Sequence, residues 1–139
     1  MSSIKSLSVL NKIYLFAALL WTYIILYLCL ASTKDLPQVS VGIKNLDKAV
    51  HFCFHFGFVI LWYLFMASQK NALEIRFKMK KTFLVSVVFG TLIEIAQLCF
   101  TNSRSADIID VFANSVGAYS AVIFLKKTKF LFKKFNLIS

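Results

Sequence analysis

Four long apolar runs divide the chain, separated by short polar and basic stretches. The first covers residues 13–31, lies between Lys12 and Ser32-Thr33-Lys34-Asp35, and carries no charge. The second, residues 49–68, is interrupted by His51 and His55. The third, residues 82–100, contains Glu94 and Gln97, and the fourth, residues 108–125, has Asp110 and Asn114 near its start. Each run is long enough as a helix to cross roughly 30 Å of hydrocarbon. The first run exceeds the roughly 7–15 apolar residues of a signal-peptide core, so it reads as an uncleaved span despite its basic start. The connection between the third and fourth runs is short, which makes those helices antiparallel neighbours. The pattern predicts an all-α integral membrane four-helix bundle with short loops, one domain over residues 1–139.

Composition supports lipid as the solvent. The chain has 139 residues, 59% of them hydrophobic, with a mean hydropathy of +0.74. A water-soluble fold of this size could not cover so much apolar surface. The net charge of +10 would suggest nucleic acid in a soluble protein, but here the basic residues flank apolar runs and no nucleic-acid motif is present. Nucleic acid is therefore not an expected partner. Lys5 and Lys12, then Lys70, Arg76, Lys78, Lys80 and Lys81, then Lys126, Lys127, Lys129, Lys133 and Lys134 fall on one side of a four-span topology. Only Lys34, Lys44, Lys48 and Arg104 fall on the other. The positive-inside rule then puts both termini in the cytoplasm. The tail's interleaved lysines and phenylalanines suit a stop-transfer flank or an anionic leaflet. Cys29, Cys53 and Cys99 sit in apolar runs with no CxxC pair and read as packing residues, with one disulfide left open.

The polar residues inside the spans converge in depth. Asp47, His51 and His55 are four apart and share a helix face, with His51 about 6 Å and His55 about 12 Å from the start of the second span. Gln97 and Glu94 lie about 5 and 9 Å from the end of the third span, on one face. Asp107, Asp110, Asn114 and Gly117 form a stripe on the fourth. Charges facing lipid are costly, so the three stripes should face one another. Arg104, on the intervening turn, is placed to pair with Glu94, Asp107 or Asp110. Structural roles compete for most of these residues. Asp107, Asp110 and Asp47 can cap helix starts, Lys48 can anchor at the interface, and Asn114 can bridge two helices. His55 can be a satisfied interior histidine, and Gly90, Gly117 and Ala121 can be close-packing positions. Glu94, mid-helix with no cap to fill, has the weakest structural explanation.

The motifs Asp47-Lys48-x-x-His51-Phe52, Glu94-x-x-Gln97, Arg104, and Asp107-x-x-Asp110-x-x-x-Asn114-x-x-Gly117 resemble the VanZ-like family of bacterial membrane proteins. The family is named for a member associated with resistance to glycopeptide antibiotics. The resemblance covers the second to fourth spans and implies a small multi-pass protein of the bacterial cytoplasmic membrane. It carries no settled biochemical activity. His55 departs from the family pattern, which has an apolar residue there, and this argues against a His-x-x-x-His metal pair.

The leading functional expectation is a polar pocket at the outer face that binds a lipid headgroup or cell-envelope component. Its residues would be Asp47, Lys48, His51, Glu94, Gln97, Arg104, Asp107, Asp110 and Asn114. Lys48 and Arg104 would hold a phosphate, and membrane lipid, a cell-wall lipid intermediate or an envelope protein would be the partner. No cofactor and no metal set are assigned. An intramembrane enzyme using His51 with Glu94 or Asp110 is the alternative, although no HExxH, GxSxG or clear nucleophile is present. A purely structural polar network is the third reading. The topology is directly testable: reporters fused after Lys5, Lys78 and Lys129 should score as internal, and those after Val41 and Asn102 as external. An external score after Lys129 would require an odd number of crossings and end the four-span reading.

Overall fold

The computed structural model describes residues 2–30, 46–69, 74–100 and 107–134. They form four helices: α1 (Ser2–Leu30), α2 (Leu46–Ser68), α3 (Ile75–Phe100) and α4 (Ile108–Lys134). Each contains a stretch long and apolar enough to cross a membrane: Val9–Leu30, Leu46–Ser68, Ile75–Cys99 and Ile108–Thr128. The helices outrun the apolar runs because helical hydrogen bonding does not stop where hydrophobicity does. α3 begins among its basic residues, and α4 continues through Lys126 and Lys127. The long Lys and Arg side chains there can carry their charge toward the interface while their stems stay apolar.

α2 is the central helix. It packs against all three others, most extensively against α4, while α1 touches α2 and α3 but not α4. The arrangement is two triangles of helices sharing the α2–α3 edge. Large apolar side chains on the outside, among them Phe16, Tyr23, Val88, Leu98 and Phe112, are exposed on every helix that borders lipid. The interior is correspondingly more polar than that of a soluble bundle: His51, His55, Ser86, Glu94, Gln97, Asp110 and Asn114 are all buried. Lipid chains solvate apolar side chains as well as a protein core does, so close packing and interhelical hydrogen bonds must hold the helices together.

Two apolar clusters flank the polar interior. Val59, Tyr63, Met79, Ala118, Ala121, Val122 and Leu125 join α2, α3 and α4 at the end where α3 begins. Ile25, Cys29, Phe54, Phe58 and Ile93 join α1 to α2 and α3. α1 is further fixed by two indole bonds: Trp21 Nε1 donates to the Phe54 carbonyl at 3.0 Å and Trp62 Nε1 to Thr22 Oγ1 at 3.1 Å. None of the three cysteines forms a disulfide among the described residues; Cys29 is buried, and Cys53 and Cys99 are exposed.

The α2–α4 contact is the tightest in the bundle. Gly117, Ala118 and Ala121 give α4 a small-residue face. At Gly117 a Cβ would overlap the Phe52 carbonyl oxygen and lie 2.9 Å from its carbonyl carbon and 3.0 Å from its Cα. Backbone cannot rotate out of the way as a side chain can. Gly117→Ala should therefore push α2 and α4 apart and lower stability by about 1–3 kcal/mol, the usual cost of overpacking. In an open helix the same change would stabilise by about 1 kcal/mol. Thermal melting in detergent distinguishes the two, and a variant as stable as the parent would mean that the helices are not held at this distance.

Candidate functional site

The site lies where α2 and α4 begin and α3 ends. The antiparallel path of α3 brings Glu94, in its last two turns, level with the first turns of its neighbours. Asp107 is the N-cap of α4: its Oδ1 accepts from the Ile109 N–H at 2.8 Å, and its own carbonyl accepts from Asp110 and Val111. The Asp107 N–H donates to Glu94 Oε2 at 3.3 Å, so the carboxylate of α3 is attached to the start of α4. Asp107 therefore has the capping role that its position in the sequence suggests, and Glu94 has a partner across the turn.

Lys48 closes the α2–α4 end. Its Nζ lies 2.8 Å from Asp107 Oδ2 and 2.8 Å from Asp110 Oδ1. Two of its three N–H donors are thus committed to carboxylates, and Asp110 is nearly fully buried behind it. The ammonium beside Asp107, with the Ile109 N–H, holds that carboxyl below the usual carboxylate range. Lys48 is thus shared between two aspartates, with one N–H left over for a phosphate or another acceptor.

His51 occupies the centre. Its Nδ1 is 3.1 Å from Asn114 Oδ1 and 3.9 Å from Glu94 Oε1, and its Nε2 is 3.8 Å from Asp47 Oδ1. Both groups that face Nδ1 are oxygen acceptors, so Nδ1 carries a proton. Two buried atoms have no hydrogen-bond partner among the described residues: Glu94 Oε1 and Asn114 Nδ2. Asn114 Nδ2 and the His55 ring both lean over Gly90, where an added Cβ would lie 2.9 Å and 2.8 Å from them. Gly90 is the gap that lets two polar side chains meet above α3.

The structure groups most, but not all, of the residues singled out from sequence. Asp47, Lys48, His51, Glu94, Asp107, Asp110 and Asn114 are one connected cluster. Gln97 is buried but donates to the Cys29 carbonyl of α1 at 2.9 Å, so it also fastens the neighbouring helix. Arg104 lies outside the described residues. His55 turns away from His51 and bonds Ser86 Oγ through Nδ1 at 2.8 Å. Ser86 was not among the sequence candidates. The signal that finds it is spacing: Lys78, Thr82, Ser86, Gly90 and Glu94 recur every four residues, and all are buried. A single hydroxyl in an apolar run looks unremarkable until that stripe is seen.

A family model described as VanZ/LLP1 matches residues 3–132. No curated protein and no solved structure is matched.

The depressed Asp107 pKa has a consequence for stability. A carboxyl whose folded-state pKa lies below its unfolded value, about 3.9, adds stability above that value. That contribution is lost as pH falls through the lower folded-state pKa. Asp107→Asn keeps a capping side chain but removes the charge. Melting in detergent between pH 3 and pH 6 should show a shallower acid-induced fall for Asp107→Asn than for the parent. An equally steep fall would mean that the Lys48–Asp107 pair adds nothing to folding.

Proposed function

The chain belongs to the VanZ/LLP1 family, and on that premise we propose that it is a bacterial cytoplasmic-membrane protein that binds a lipid headgroup or cell-envelope component at its polar end. On this reading residues 1–139 form one transmembrane domain with both termini in the cytoplasm. The asymmetric distribution of Lys and Arg supports that orientation. The polar cluster then faces the outer half of the bilayer, at the depth where lipid headgroups begin.

The observation that carries the reading is Glu94. It is 3% exposed, its Oε1 has no partner among the described residues, and it sits beside the buried imidazole of His51. An unsatisfied carboxylate oxygen in a low-dielectric interior costs several kcal/mol, and a network built only for stability would be expected to satisfy it. A hydroxyl or ammonium of a bound headgroup would supply the missing donor. Asp47, exposed at the mouth of the same cluster, gives the ligand a polar approach. Among the described residues no nucleophile is aligned with His51, and the unmet carboxylate oxygen of Glu94 supports binding.

Glu94→Gln tests this. The amide keeps the size and still accepts a hydrogen bond, but the charge is gone. The parent, purified from bacterial membranes in mild detergent, should retain a headgroup-bearing molecule detectable by mass spectrometry. Glu94→Gln should lose it by at least tenfold while melting near the parent temperature. Retention of the same molecule by Glu94→Gln would sink the reading. Joint loss of ligand and fold would favour a purely structural network.

A further inference from the structure

Asp47, His51 and Asp110 offer three donor atoms, all within 4.8 Å of one another, from the first turns of α2 and α4. We propose that these three residues bind a divalent transition-metal cation of the Zn2+ class. The site does not require that a headgroup binds.

The hydrogen bonding of His51 is the first argument. Asn114 Oδ1 and Glu94 Oε1 both face Nδ1, at 3.1 and 3.9 Å, an arrangement that favours the tautomer with its N–H at Nδ1. Nε2 is left with its lone pair, and that lone pair faces Asp47 Oδ1 at 3.8 Å. Two electron-rich atoms at that distance are too far apart to hydrogen-bond well and suitably placed to share a cation. Donors bound to a transition metal at roughly 2.0–2.2 Å stand about 3–4 Å apart. The Asp47 side chain is 61% exposed, so a rotation about its own bonds can close the set.

Charge is the second argument. Asp47, Glu94, Asp107 and Asp110 bring four carboxylates together, against the single ammonium of Lys48 among the described residues. Lys48 takes one oxygen of Asp110, leaving that carboxylate a second oxygen for a metal. A divalent cation is the ligand that this excess of negative charge favours. Its imidazole donor selects a transition metal over Mg2+ or Ca2+, which prefer all-oxygen sets.

The surroundings of His51 are the third. A metal-binding imidazole characteristically donates its other ring N–H to an amide or carboxylate oxygen, which fixes tautomer and orientation. Asn114 does this here. On the same side of the ring stands Glu94 Oε1, more than nine-tenths buried and without a hydrogen-bond partner among the described residues. The spacing that suggests metal in the sequence, His51 with His55, is not the site: the donor atoms that come within 4.8 Å of one another are those of Asp47, His51 and Asp110, without His55.

The full chain in detergent, stripped with a chelator, can be titrated with Zn2+ by calorimetry and with Co2+ by visible absorption. The parent should bind one Zn2+ per chain, far more tightly than Mg2+. The bands of bound Co2+ should report nitrogen and oxygen ligands. Asp47→Asn, at an exposed position, should fold as the parent does and bind Zn2+ at least tenfold more weakly. His51→Gln should abolish the Co2+ bands, while Glu74→Gln, an exposed carboxylate outside the cluster, should bind as the parent does. At the same concentration, Zn2+ should raise the melting temperature of the parent more than that of Asp47→Asn. No saturable binding by the parent, or binding unchanged in both Asp47→Asn and His51→Gln, would overturn the proposal.

Discussion

The separation of α2 from α4 is set by a glycine resting on a peptide carbonyl. With Gly117 against Phe52, the two helix axes come close enough for short side chains to span the gap. His51 then reaches Asn114, and Lys48 reaches both aspartates of the α4 start. An added methyl group at this position would separate every one of these pairs together. The polar cluster thus inherits its geometry from a packing contact that contains no polar side chain.

The second condition is electrical. Four carboxylates gathered at one end of an apolar bundle repel one another, and the interior offers little dielectric screening. Three features offset this: the ammonium of Lys48, the backbone N–H groups at the start of α4, and the imidazole of His51. Each offsets part of the charge and leaves part uncovered, most plainly at Glu94 Oε1. The cluster is held in place, yet one oxygen remains unmet by the donors of the described residues.

Much of the architecture was legible in the sequence because membrane helices obey a simple constraint. Their backbones must satisfy themselves, so long apolar runs become helices. The polar interruptions then mark the inner face, and helical periodicity aligned Asp47 with His51 and Asp107 with Asp110 before any coordinates. Helix ends were less legible, since α3 continues into basic residues that hydropathy assigns to a loop. Partner choice was least legible. Gln97 shares a face with Glu94, but a long amide can turn sideways, and its nearest acceptor is a carbonyl of α1. Ser86 was hidden because its importance depends on His55, thirty-one positions away.

The four-residue stripe on α3 also bears on how the protein is made. Lys78, Thr82, Ser86, Gly90 and Glu94 lie along the inward side of one helix. A charged residue at mid-membrane adds about 2.5–3.5 kcal/mol to the cost of inserting an isolated segment. Alone in the bilayer, α3 would leave these polar groups without the partners that its neighbours provide. Its companions supply what it lacks: α2 brings His55 to Ser86, and α4 brings the Asp107 N–H to Glu94, only thirteen residues later in the chain. α3 is therefore suited to leave the translocation machinery alongside its neighbours, with α4 following closely enough to meet it before it is committed to lipid. The order of synthesis, α2 before and α4 immediately after, matches that need.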